Sequence, residues 1–231
     1  MKLYKYLAAI TTLAVALVAC GLDNYDAPSS TLQGRITYQG KALGLRGTGE
    51  AVQLQLYQDG YELRNYISVF VNQDGTFRAK LFDGEYKLVT RDNNGPWVNT
   101  RDTVTILLKG SASVDVEVTP YYLITDESIS LDGSTLRANL TVTQIAKGEG
   151  LAKEIERISL LVSSTSFVDE ATNIVREDFM EEARLGKQTL IYTLDKEERD
   201  RVASAKFLYA RLSVRAQGAS ESIYSEIVQL R

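Results

Sequence analysis

A two-residue hydrophobic period governs this chain. Leu32, Ile36 and Tyr38 alternate with Gln33, Arg35 and Thr37; Val52, Leu54 and Leu56 alternate with Gln53, Gln55 and Tyr57; Phe77, Ala79 and Leu81 alternate with Arg78 and Lys80. The period returns in Tyr86/Leu88, Val104/Ile106/Leu108 and Val114/Val116/Val118. Successive side chains of a strand point to opposite faces, so each run has one apolar and one polar face, as a half-buried strand requires. Asp59-Gly60, Asp74-Gly75, Asp83-Gly84 and Lys109-Gly110 stand between the runs. Such pairs supply the backbone freedom of tight hairpin turns. About six or seven strands at this spacing predict a β-sandwich, and Pro120 closes it.

Past Tyr121 the runs are more widely spaced. Leu136, Ala138, Leu140 and Val142 form one, Ile158, Leu160 and Val162 a second, and Leu190, Tyr192 and Leu194 a third. Leu208, Ala210, Leu212, Val214 and Ala216 share a face of the strongest, followed by a turn at Gly218 and a last strand from Ile223 to Val228. Two connections have helical character. Asp195 is an N-cap with Glu198 three residues on and a Glu197/Arg201 pair behind it, which predicts a helix over 195–205. The charged stretch Glu177 to Arg184 is the second candidate.

The composition excludes most chemistry. With no histidine there is neither a Ser-His-Asp triad nor a His-ligated metal site. The single cysteine, Cys20, ends an apolar run and belongs to no spaced ligand set, so no metal and no cofactor is expected. Acidic residues outnumber basic ones, 30 to 26, which argues against a nucleic-acid partner.

Lys2 and Lys5 precede the apolar stretch Leu7 to Ala19, which is too short for a stable membrane span and has the layout of a secretory signal. It ends in Leu17-Val18-Ala19-Cys20, which resembles the lipobox of bacterial lipoproteins. The resemblance implies cleavage before Cys20, removal of both lysines, and acylation of Cys20. Several acyl chains together make a durable membrane anchor, where one chain holds only marginally.

Asp74-Gly75-Thr76-Phe77, Leu81, and Gly84-Glu85-Tyr86-Lys87-Leu88 resemble the signature of prealbumin-like domains, which include carboxypeptidase regulatory-like modules. The closing pair of runs, with Tyr224-Ser225-Glu226, resembles the last hairpin of fibronectin type III domains, although Ala210 occupies the site of the usual corner tyrosine. The implied fold is all-β, two tandem β-sandwiches. Residues 1–19 form the signal peptide, 20–30 a lipidated tether, 31–120 the prealbumin-like sandwich and 121–231 the fibronectin III-like sandwich. Together with the opening Asn24-Tyr25-Asp26-Ala27-Pro28 and the Thr31-Leu32-Gln33-Gly34-Arg35-Ile36 strand, these features resemble a two-domain lipoprotein family of Bacteroidota. Its members are typically encoded beside SusC-like transporters and SusD-like binding lipoproteins. The resemblance implies an accessory role in glycan uptake at the outer membrane, with the lipid-anchored membrane, oligosaccharide and a SusC/SusD-like complex as partners. The family defines no catalytic residues.

Trp97 stands in the loop Asn93-Asn94-Gly95-Pro96-Trp97, and Tyr61, Arg64, Asn65 and Tyr66 lie in a second polar aromatic segment. Aromatic rings beside amides are suited to stacking on sugars and hydrogen bonding to them, which nominates Trp97, Tyr66, Asn94 and Tyr61 as ligand contacts. The alternative for Trp97 is a cap over one end of the sandwich. Asp102-Thr103-Val104 resembles the short O-glycosylation acceptor of exported Bacteroidota proteins, with Thr103 as the modified residue. Asn72-Gln73-Asp74-Gly75 has a faint likeness to a calcium loop but lacks its carboxylate ladder, so a hairpin is the expectation. The acids Asp169, Glu170, Glu177, Asp178, Glu181 and Glu182 include enough carboxylates for a glycosidase pair, yet Arg176 and Arg184 interleave them as on a solvated face. The competing functional classes are a non-catalytic binding lipoprotein, a structural or adhesive surface subunit and a glycosidase.

The lipobox makes a direct prediction: the wild-type protein fractionates with the outer membrane and begins at an acylated Cys20, whereas Cys20→Ala is released or mislocalised. Membrane fractionation and mass spectrometry of the amino terminus test it, and an unlipidated terminus in the wild type refutes it.

Overall fold

The computed structural model describes residues 26–60 and 62–231. The signal segment, the lipobox with Cys20, and Tyr61 lie outside the described residues. The rest is of the all-β class, about half of it strand with one short helix, arranged as two sandwiches in tandem.

The first sandwich contains β1 (Ser30–Tyr38), β2 (Lys41–Ala42), β3 (Gln53–Tyr57), β4 (Ile67–Phe70), β5 (Thr76–Leu81), β6 (Gly84–Thr90), β7 (Val104–Leu108) and β8 (Ser111–Glu117). In one sheet β1 is central, with β5 and β2 antiparallel to it. On its other side β8 runs parallel to it, from Thr31↔Ser111 to Thr37↔Glu117. The opposing sheet is antiparallel in the order β4-β3-β6-β7. Leu32, Ile36, Leu54, Leu56, Phe77, Tyr86, Leu88 and Leu108, the apolar members of the alternating runs, are buried between the sheets. Gly34 interrupts the alternation for a steric reason. A Cβ there would lie 2.6 Å from the Phe77 ring and closer still to the Val114 carbonyl.

The parallel β1–β8 pair fixes where the chain enters and leaves this domain. At the entry pole, Asp83 accepts hydrogen bonds from Ser30 Oγ at 2.5 Å and from Gly110 N at 2.9 Å, joining the start of β1 to two hairpin turns. These donors hold the Asp83 carboxyl below its ordinary pKa. The exit lies at the opposite pole, where β8 leads into the second sandwich.

That sandwich has a three-stranded sheet, β13-β10-β9, made of β9 (Tyr122–Asp132), β10 (Thr135–Gln144) and β13 (Gly186–Thr193). The other sheet runs β12-β11-β14, from β11 (Ile155–Ser163), β12 (Val175–Phe179) and β14 (Tyr209–Ala216), with β15 (Ile223–Tyr224) and β16 (Val228–Gln229) in succession on the far edge of β14. The arrangement matches the fibronectin III-like expectation. The expected helix over 195–205 is α1 (Lys196–Ser204). Asp195 Oδ1 accepts from Glu198 N at 2.8 Å, and Glu198 Oε2 accepts from Asp195 N at 3.0 Å and from Tyr192 Oη at 2.8 Å.

Two expectations fail here. The helix expected over Glu177 to Arg184 is absent, because its first residues belong to β12, paired with β11 from Ile158↔Phe179 to Val162↔Val175. A four-residue spacing such as Val175/Phe179 fits one face of a strand as well as one face of a helix, and β11 offers an edge to pair with. The single last strand from Ile223 to Val228 is broken in two at Ser225–Ile227.

The break serves the domain junction. Arg211 lies between buried neighbours on β14 but points out of its own sandwich, toward the first one, and is 2 % exposed. Its Nε donates to the Ser225 carbonyl at 2.7 Å, Nη1 to Leu45 at 2.9 Å and Nη2 to Gln73 at 2.7 Å. The Tyr224 ring lies 4.7 Å from the guanidinium carbon. Among the described residues no carboxylate bonds this cation, and burial pushes its pKa down to about 10. The neighbouring Gly44 bridges Tyr224, and a Cβ on Gly44 would stand 2.3 Å from the Tyr224 oxygen and 2.8 Å from Arg211 Nη2. The loop after β11 closes the same junction. Asp169, fully buried, accepts from Thr48 N at 3.2 Å and from Thr48 Oγ1 at 2.6 Å, while Gln73 Nε2 donates to the Ser166 carbonyl at 2.9 Å.

Trp97 lies at the chain crossing. It bridges Pro120, Tyr121 N donates to the Pro96 carbonyl at 2.9 Å, and the indole is 3 % exposed. Of the two readings of Trp97, the cap is the one that fits: the ring is inside the protein, at the end of the sandwich against the interdomain segment, and is not open to stack on sugar.

Arg211→Ala removes the guanidinium that ties the Leu45 and Gln73 carbonyls to the second sandwich, together with the packing of the side chain, so it should cost about 3 kcal/mol. Gly44→Ala should cost a comparable amount through steric conflict. Urea unfolding followed by circular dichroism measures both, and unchanged midpoints would show that the junction carries no stability. Trp97→Ala should cost about 3–5 kcal/mol, and wild-type Trp97 fluorescence should resist acrylamide quenching until the protein unfolds.

Candidate functional site

The outward face of the β4-β3-β6-β7 sheet is built by the polar members of the alternating runs. Gln53, Gln55 and Tyr57 project from β3, and in register beside them Val89 and Lys87 project from β6. Tyr66, just before β4, meets the Tyr57 ring edge-on, with centroids 6.0 Å apart and planes at 62°. This T-shaped geometry leaves an aromatic surface beside two amides. The amide oxygens are already oriented: Tyr57 Oη donates to Gln55 Oε1 at 3.2 Å, and Arg91 Nη1 donates to Gln53 Oε1 at 3.0 Å.

Cations surround the pair. Arg64 Nη2 and Lys87 Nζ both donate to Asp59, at 2.9 and 2.5 Å, and Arg101 Nη1 donates to Asp92 at 2.8 Å. The Lys87 bond, with a smaller contribution from Arg64, holds the exposed Asp59 carboxyl below its ordinary pKa. Tyr57, Arg64, Lys87, Val89, Arg101 and Thr103 line an open cavity of about 260 Å³. Its floor is the Val89 side chain, while hydroxyl, guanidinium and ammonium groups form the rim. An apolar floor with polar groups converging on it suits a ligand that carries both C–H faces and hydroxyls.

The residues nominated from sequence have different fates. Tyr66 is partly exposed and belongs to this face. Asn94 does not present a free amide: its Oδ1 accepts from Gln53 N at 2.7 Å and its Nδ2 donates to the Ala51 carbonyl at 2.7 Å, so it fastens the loop to the start of β3. Trp97 is buried behind that loop. Tyr61 lies outside the described residues. Thr103 is exposed on the cavity rim, immediately before β7. Sequence reasoning misses Tyr57, Gln55 and Arg101. The first two are visible there only as the polar half of an alternating run, which reads as ordinary solvent-facing surface.

The other candidate chemistry is occupied by structural roles. At the β4–β5 turn, Asp74 Oδ1 accepts from Thr76 N at 3.0 Å and Thr76 Oγ1 at 2.7 Å, a hairpin as expected. No metal-binding cluster occurs among the described residues. Asp169 Oδ1 accepts from Ala171 N and Thr172 N, both at 2.9 Å. Glu170 accepts from Arg157 at 2.9 Å, Arg215 at 3.1 Å and Ser222 at 2.5 Å. Asp178 accepts from Arg176 at 2.8 Å and Ser159 at 2.6 Å. Burial opposes the Asp178 charge, but these donors outweigh it and hold its pKa below the ordinary value. Three of the six acids considered for hydrolysis thus hold the loop and sheet beneath the domain junction.

Comparisons with known proteins agree with the two-sandwich architecture. A DUF3823 family protein from Parabacteroides merdae is 51 % identical, with a TM-score of 0.83 over 89 % of this chain and 100 % of that one. A second, from Bacteroides ovatus, is 28 % identical, with a TM-score of 0.76 over 87 % of this chain and 98 % of that one. A Bacteroides uniformis structure described as a "putative carbohydrate binding protein" is 17 % identical and shares the fold, with a TM-score of 0.70 over 88 % and 99 % of the two chains. No curated protein matches the sequence. The profile described as protein of unknown function (DUF3823) N-terminal domain matches residues 30–119, and the domain of unknown function DUF3823_C matches residues 122–229. The chain belongs to the DUF3823 family.

Proposed function

We propose that this protein is an accessory lipoprotein of a glycan-uptake system, anchored in the outer membrane through Cys20, and that it binds oligosaccharide without catalysis. The observation that carries this reading is the Tyr57–Tyr66 pair, half-buried and exposed respectively, beside Gln53 and Gln55 at the outward face of one sheet. Strand β3 holds Gln53, Gln55 and Tyr57 at fixed spacing, so little of their freedom is given up when a ligand binds. The cavity between Tyr57 and Arg101 is smaller than the roughly 300–1,000 Å³ that encloses drug-sized ligands. A single sugar ring seated there would extend along the sheet toward Gln53. The description of the Bacteroides uniformis relative and the lipobox support the same assignment.

Isothermal titration against a panel of oligosaccharides tests the proposal. The expected affinity is millimolar to micromolar, about 4 to 8 kcal/mol. Tyr57→Ala and Tyr66→Ala should each weaken binding about ten-fold, in line with ~1 kcal/mol or more for an aromatic contact. Trp97→Phe should retain binding, because the indole is internal. Absence of heat with every glycan, accompanied by self-assembly into filaments, would replace this reading with a structural subunit. Release of reducing sugar that is abolished by Glu181→Gln or Glu182→Gln would replace it with an enzyme.

A further inference from the structure

We propose that the oligosaccharide is anionic, bearing carboxylate or sulfate groups, and that Arg64, Lys87 and Arg101 receive those groups beside the Tyr57 ring. The inference rests on the carbohydrate-binding reading above and narrows it to a ligand class. Three of the six residues lining the cavity are cations, and none is an acid. The chain as a whole is acidic, with a formal net charge of −4, so this cavity has the opposite sign to the molecule that carries it.

The acids nearby neutralise the cluster only in part, leaving one net positive charge among these three cations. Asp59 serves Arg64 and Lys87 together, and Asp92 serves Arg101. Arg91, on the same face, bonds only the neutral Gln53 amide among its hydrogen-bond partners in the described residues. Arg64 spends one of its N–H donors on Asp59, and a guanidinium has five. Free forked donors of this kind match the planar or tetrahedral oxygen arrays of carboxylate and sulfate, which a neutral sugar lacks.

Arg101 adds backbone evidence. Its φ is 55°, in the left-handed region that residues other than glycine enter at a cost. That turn brings its guanidinium over β3, where Nη2 donates to Gln55 Oε1 at 3.5 Å and Nη1 reaches Asp92. The arrangement keeps a cation above the apolar floor, next to the aromatic ring on which a pyranose would lie.

The test pairs each acidic probe with its neutralised form on the full-length mature protein. Oligogalacturonate is titrated against its methyl ester, and chondroitin sulfate oligosaccharide against its desulfated form, with xylo- and cello-oligosaccharides as neutral references. The expected result is binding of at least one acidic member, with its neutralised counterpart weaker by roughly ten-fold or more for each charge-assisted hydrogen bond removed. The affinity should fall as salt rises from 0.1 to 1 M, where the screening length shortens from about 10 Å to about 3 Å. Arg64→Gln and Arg101→Gln should each weaken the acidic probe, whereas Arg78→Gln on the opposite sheet should leave it unchanged. Asp59→Asn, which frees two cations, should tighten the acidic probe. Equal binding of charged and neutralised partners, or binding of neutral references alone, overturns the anionic assignment and leaves carbohydrate binding intact. Failure of every glycan to bind overturns both.

Discussion

The molecule depends on a buried guanidinium that no carboxylate among the described residues hydrogen-bonds, with Glu226, Asp169 and Asp74 acting on its charge only at a distance. Removing a cation from water costs several kcal/mol, and carbonyl dipoles from both domains converge on Arg211 to offset that cost, with the Tyr224 ring and more distant carboxylates adding to it. Much of the surrounding architecture follows from that requirement. The last strand breaks so that the Ser225 carbonyl can turn toward the cation. Gly44 lacks a side chain because the Tyr224 carbonyl and Arg211 occupy the space. The loop after β11 folds back to complete the enclosure, and Asp169 holds it there through Thr48 of the other domain. Carbonyl oxygens are poor substitutes for a carboxylate in charge but good ones in geometry. They can be satisfied only when the two sandwiches sit in one relative position.

The strands of the first sandwich are legible because one face of each is dry and the other wet, the condition under which alternation survives in sequence. Where that condition fails, so does the reading. β4 is an open edge with Ile67 and Phe70 both partly exposed, and it shows no clean period. β9 carries Thr125, Asp126, Glu127 and Ser128 through a register shift against β10, which breaks the period along that strand. In β14 the inward set is correct, yet Arg211 belongs to the outward set, which reads as solvated. Nothing in the local sequence reveals that the other domain covers it.

The candidate site illustrates the same limit from the functional side. The loop sequence around Trp97 is the most conspicuous aromatic feature of the chain, and in the folded protein it is packing at the chain crossing. The site that the fold assembles combines Tyr57 from one strand, Tyr66 from the approach to another, and Arg101 from a loop more than 30 residues further along. Strand register together with the course of the flanking loops brings them together. Tyr66 stands out because its segment is polar and aromatic. Its partner is concealed in a strand whose polar half looks unremarkable.

The parallel pairing of β1 with β8 also determines how the molecule responds to force. A pull applied between the amino-terminal end of β1 and the far end of β8 draws the two strands past one another along their lengths. Hydrogen bonds from Thr31↔Ser111 to Thr37↔Glu117 are then strained in shear and resist together, whereas a hairpin pulled from its open end would unzip one rung at a time. Under tension applied in that direction the first sandwich would resist as a mechanical clamp. Its seams are aligned with the direction of tension.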